Sequence, residues 1–277
     1  MKDVFAIFIT LFTAQIALCL IGGRQMRIAE FPFVVLIERD NEVLFCTGII
    51  LDHLQIVIPD PCVERQYFFS IGYISVNVIP IANSDPPKKY KGYVAIVDDP
   101  MMPPTIGYLS LLVIRLEYPG MQLVPRKDQD GRFPTHAPFG PRIADLIVPS
   151  DVIIVGMNNK VGTMTIVAEE RCFSLQKLLH RVNGWVISAK QFLGNNLICA
   201  EARDDNQHQS RDEPKPVNIP SGQACETDVG APVLQNGVVI GLVIQALCSK
   251  NYSPMTHVTH ILRLHGSDIP RERLSPL

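Results

Sequence analysis

Cys225-Glu226-Thr227-Asp228-Val229-Gly230-Ala231-Pro232-Val233-Leu234 is the stretch that decides how this chain folds. It ends in a Gly-Ala-Pro step and an apolar run, and just beyond it Asn236-Gly237 separates that run from a second one over residues 238–244. An Asn-Gly pair supplies the two positive φ angles of a type I′ turn, so the two runs are expected to pair as a β-hairpin. Upstream, residues 33–38 and 43–51 are β-branched and aromatic runs on either side of Arg39-Asp40-Asn41, which predicts another hairpin. Short strands with turn signals between them point to a barrel or a sandwich. A helical pattern of any length stands only near the end. There Val258, Ile261 and Leu262 share a face within residues 256–264, which predicts a short C-terminal helix.

The chain has 277 residues, 47% of them apolar, and a net charge of −2, enough for one large or two medium domains. Residues 125–141 are rich in Pro, Gly and charge without apolar period, and read as a connection between two units. No basic run exceeds Lys88-Lys89, which excludes a positive stripe for nucleic acid or an anionic membrane surface. Residues 5–20 are apolar after Lys2, too short for a good membrane span, and end in Ala17-Leu18-Cys19, with small residues where signal peptidase reads. Residues 1–19 are therefore expected to be a signal peptide, leaving a secreted chain with no membrane span.

Of seven cysteines, removal of Cys19 leaves six, an even number in an oxidising compartment, which favours disulfides and by itself allows any of fifteen pairings. There is no CxxC pair or mixed His/Cys cluster, so neither a metal nor any other cofactor is expected. His257 and His260, with His265 beyond, read as a solvent-facing helix surface because no carboxylate or cysteine joins them locally. Asn251-Tyr252-Ser253 is a candidate glycosylation sequon.

The opening stretch resembles the Cys-x-Gly-Asp-Ser-Gly-Gly-Pro-Leu-Val signature of the trypsin-like serine protease family, matched by Cys225, Asp228, Gly230 and Pro232. Further frames follow in the family's order: Leu20-Ile21-Gly22-Gly23, Phe31-Pro32-Phe33, Phe45-Cys46-Thr47-Gly48, Gly156-Met157-Asn158 and Ile198-Cys199-Ala200. The resemblance implies an all-β fold of two six-stranded antiparallel barrels, one over 20–135 and one over 136–277, with the closing helix near 256–264. It also implies that the catalytic triad is lost. Val229 stands at the nucleophile, Pro61 at the histidine within Ile56-Val57-Ile58-Pro59-Asp60-Pro61-Cys62, and Ser110 at the aspartate opening Ser110-Leu111-Leu112-Val113-Ile114-Arg115-Leu116. A valine side chain has no oxygen with which to attack a carbonyl.

By the same resemblance the disulfides are Cys46–Cys62, Cys172–Cys199 and Cys225–Cys248. Thr227 replaces the glycine whose amide helps hold an oxyanion, and its Cβ resists a positive φ. Gln223 falls at the base of the specificity pocket, and Ile244, Gln245 and Ala246 replace its wall, which narrows the cleft. Residues 201–222 form a longer segment than the family usually has between its cysteines, mixed in charge, and read as a solvated insertion or a partner-binding loop. In the family the aspartate at position 228 receives the chain's new N-terminus; here a cut after Cys19 would place the Leu20 ammonium there. The expected function is that of a secreted, non-catalytic homologue that binds a protein partner, as a regulator or decoy for an active protease. The competing expectation is an active hydrolase using substitute residues.

Overall fold

The computed structural model describes residues 20–27, 30–39, 44–63, 74–81, 88–95, 111–123, 134–139, 149–168, 170–172, 197–202, 219–246 and 258–264. Six strands make a first barrel: β3 (Val34–Glu38), β4 (Leu44–Asp52), β5 (Gln55–Pro59), β6 (Ile74–Pro80), β7 (Tyr90–Ala95) and β8 (Leu111–Leu116). They close in the order β3-β4-β5-β8-β7-β6, each neighbouring pair antiparallel. Side chains alternate across a pleated strand, so every second residue faces inward. On β6 these are Val76 and Val78, which meet Ile37, Ile50, Ile56 and Ile114 in one fully buried cluster.

The second barrel is built from β9 (Ser150–Val155), β10 (Lys160–Val167), β11 (Leu197–Ala202), β13 (Pro232–Gln235), β14 (Val238–Ala246) and β15 (Val258–Arg263). The sheet order is β11-β15-β14-β13-β9-β10, and β10 also pairs with β11, which closes the ring. The chain therefore folds as two six-stranded antiparallel barrels. The expected hairpin is there: Gln235 pairs with Val238, and Asn236 and Gly237 take φ of 52° and 75°.

Two elements differ from expectation. Residues 258–263, predicted as helix, are strand β15, hydrogen-bonded between β11 and β14. Val258, Thr259, His260, Ile261 and Leu262 are all buried, as a central strand covered on both faces requires, and the apolar residues Val258, Ile261 and Leu262 that suggested a helical face pack there instead. His260 is accordingly an interior residue and not a surface one, while residues 265–277 lie outside the described residues. The start of the chain, read as part of the first unit, joins the second: β1 (Ile21–Gly22) pairs with β12 (Gly222–Gln223), and β2 (Arg24–Gln25) with β10.

The barrels share a core. Phe31, Phe33, Ile49 and Val57 from the first side pack with Val155, Val161, Leu234 and Leu242 from the second. The connecting segment stitches both together, with the Ala137 amide donating to the Ile50 carbonyl at 2.8 Å and the Val239 amide to Pro138 at 2.8 Å. The junction where β4 meets the 225–231 loop lies at this seam.

Candidate functional site

The loop at the seam is held from both barrels. Glu226–Asp228 form a 3-10 turn, begun by Cys225 at φ −123° and ψ 178° and closed by the Asp228 amide donating to the Cys225 carbonyl at 2.9 Å. Thr227 lies inside that turn. Among the described residues the non-glycines at positive φ are Asn159 and Asn236, so Thr227 keeps a negative φ.

Val229 follows with its carbonyl turned to the first barrel. It accepts from the Thr47 amide at 3.1 Å, and Cys46 Sγ lies 3.2 Å from the same oxygen. The Val229 side chain packs, half-buried, on the first barrel's core. Gly230 comes closest of all: at φ 84°, a Cβ there would sit 1.8 Å from the Thr47 carbonyl oxygen and 2.7 Å from Cys46 Sγ. The Gly230 amide donates back to Val243 of β14 at 2.7 Å. The loop is thus clamped between β4 and β14, and only glycine permits that approach.

Asp228 is fully buried. Its carboxylate accepts from the Met157 amide at 3.1 Å through Oδ1 and from the Cys225 amide at 2.9 Å through Oδ2. Leu20 is also fully buried, and a Cβ built on Gly156 would fall 2.9 Å from Leu20 Cβ and 2.8 Å from Asp228 Oδ1. The first described residue of the chain and the buried carboxylate therefore flank one small space. Gly162 and Gly222 also border Leu20: a Cβ built on either would fall 3.2 or 3.6 Å from one of its methyl groups.

Pro61 is exposed, in the 3-10 turn Asp60–Cys62. The Cys46–Cys62 disulfide brings this turn beside Val229, because Cys46 touches the Val229 carbonyl. Cys172–Cys199 is the second bridge, and Cys225 is disulfide-bonded to a partner outside the described residues. Ser110, Cys248, Asn251, residues 1–19 and residues 203–218 also lie outside the described residues.

Leu111, next to Ser110, packs half-buried in one cluster with Ile244, Val258 and Leu262. Ile244 and Ala246 are buried at 5% and 2% exposure, while Gln223 is half-buried and paired with Ile21. Leu111, Ile244 and Ala246 thus present aliphatic side chains next to the Ser110 position and at the expected pocket wall. No group of His, Cys, Asp and Glu suited to a metal occurs among the described residues.

Two polar groups at the seam escaped the sequence. Asp60 is buried at 5% exposure, and the prolines on both sides of it were the one sign that its backbone is fixed. Thr47 is fully buried against the Val229 loop, and its Oγ1 has no hydrogen-bond partner among the described residues. No local pattern announces a polar atom buried by a distant loop.

Two antiparallel six-stranded barrels meeting at a clamped Cys225–Ala231 loop define a chymotrypsin-like fold. Among solved structures the chain is similar to human heparin binding protein, with a TM-score of 0.53 and 14% sequence identity over 88% of this chain and 91% of that one. No family model matches the sequence, and no curated protein matches it.

Proposed function

We propose that this protein is a secreted, non-catalytic member of the chymotrypsin-like fold that acts by binding a protein partner through its surface loops. The observation that carries it is the environment of Val229: an aliphatic side chain, packed on the first barrel's core, stands where the resemblance puts a nucleophile. The preceding turn adds support, since Thr227 at negative φ does not present its amide as a glycine at positive φ would. Strands, disulfides and the Gly230 clamp stand beside an aliphatic Val229 and a proline at position 61, the pattern of a scaffold still selected to fold. A regulator or decoy for an active protease is one form of this role. Heparin binding belongs to the structural neighbour, and a net charge of −2 without a basic stripe gives no ground for carrying it over.

In the same proposal the mature chain starts at Leu20 after signal peptidase cleavage, and its ammonium joins Asp228 with no activating protease. The adjacency of buried Leu20 and buried Asp228 at Gly156 supports it. Cys225 and Cys248 form the third disulfide, and Asn251 is a glycan acceptor.

The test is direct. Purified protein should neither hydrolyse a peptide library nor label with a fluorophosphonate probe, and affinity capture from its native fluid should retain a specific protein. Stoichiometric labelling, lost on substitution within residues 225–232, would establish the competing hydrolase.

A further inference from the structure

We propose that Asn236 is a site of spontaneous deamidation, with the Gly237 amide nitrogen as nucleophile. The two residues form the whole loop between β13 and β14, whose last paired positions are Gln235 and Val238. That pairing uses the amides of Gln235 and Val238 and leaves the Gly237 N–H outside the ladder. Both loop residues are exposed, and a Cβ built on Gly237 would have nothing within 4 Å. The loop tip is therefore open at Gly237 among the described residues. The obstacle is conformational: Asn236 sits at φ 52°, and its backbone must leave the turn before the ring can close. Opening an exposed two-residue tip is a local event at the low end of the opening free energies within a fold.

The chemistry balances with water as the only co-reactant. The Gly237 nitrogen gives up its proton to a solvent base and attacks Asn236 Cγ. A carbon–nitrogen bond forms, the Cγ–Nδ2 bond breaks, and ammonia leaves carrying a proton from solvent. One water then opens the succinimide at either carbonyl, giving aspartate or isoaspartate, and in both cases one new negative charge. The isoaspartate form also places an extra carbon in the backbone of a loop whose length sets the hairpin register.

The sequence holds a second Asn-Gly pair, Asn183-Gly184, outside the described residues, so the experiment must resolve the two. Disulfide-intact protein and reduced, urea-unfolded protein are aged at the same neutral pH and temperature, then digested. Aspartate and isoaspartate at position 236 are quantified by peptide mass and by isoaspartyl methyl transfer. The expected folded-state rate is within about a hundredfold of the unfolded rate, equivalent to a local opening of no more than about 2.8 kcal/mol. Asn236→Gly, which keeps a residue suited to positive φ, should abolish the signal from this peptide. A folded rate more than a hundredfold below the unfolded one, or a signal that persists in Asn236→Gly, overturns the assignment.

Discussion

Lowering the pH from 7 to 4 is expected to destabilise this fold by about 3 kcal/mol through one residue, His260. Its ring is buried in β15, where it pairs with Cys199 of β11 on one side and Gln245 of β14 on the other. Burial penalises the imidazolium and pushes the pKa down from 6.5 to about 4. In the unfolded chain the same ring titrates near its ordinary value. Between pH 6.5 and 4 the unfolded state therefore binds a proton that the folded state refuses, and stability falls as the pH falls. Each pKa unit corresponds to about 1.36 kcal/mol, so a fall of about two and a half units gives about 3 kcal/mol. The loss is complete below pH 4, where both states carry the proton, and the group contributes nothing above pH 6.5. Urea unfolding followed by circular dichroism at closely spaced pH values, on the natural protein and on His260→Leu, isolates this contribution because the carboxylates are common to both. The natural protein should lose about 3 kcal/mol more than the variant between pH 6.5 and 4. Equal slopes in the two proteins would refute the assignment of the shift to this buried ring.

Gly230→Ala should leave little folded protein in expression and melting assays. A Cβ 1.8 Å from the Thr47 carbonyl at φ 84° must push β4 away from the loop, and strain of that kind belongs with changes above about 4 kcal/mol. Asp228→Ala strands two buried amides, those of Met157 and Cys225, and should lower stability by about 3 kcal/mol in denaturant titrations. If the Leu20 ammonium is the further partner of Asp228, one extra residue before Leu20 should cost a comparable amount; an extended variant melting with the natural protein, or a mature start elsewhere by mass spectrometry, removes that pairing while leaving the fold untouched. Peptide mapping without reduction should recover Cys225 linked to Cys248 beside the bridges Cys46–Cys62 and Cys172–Cys199. A linkage from Cys225 to any other cysteine would contradict the frame-by-frame alignment on which the site was assigned.

Sequence alone determined what local chemistry controls. The Asn236-Gly237 turn was legible because few residue pairs accept two positive φ angles, and the strands around it because β-branched runs between turn signals have few other uses. The ordered frames around Cys46, Cys199 and Cys225 located the barrels and two observed disulfides, although the sequence matches no family model. Tertiary structure decided the rest. Residues 258–263 carry Val258, Ile261 and Leu262 at helical spacing, yet became β15 because β11 and β14 leave a strand-wide gap covered on both faces. The first residues crossed to the second barrel because Leu20 fills a space bounded by Gly156, Gly162 and Gly222, which lie far away in the chain. Buried His260, buried Asp60 and the Thr47–Val229 clamp were invisible for the same reason: a residue's own neighbours in sequence set its turn and its strand, but which distant backbone comes to lie against it, and so what it buries, is fixed only when both barrels close.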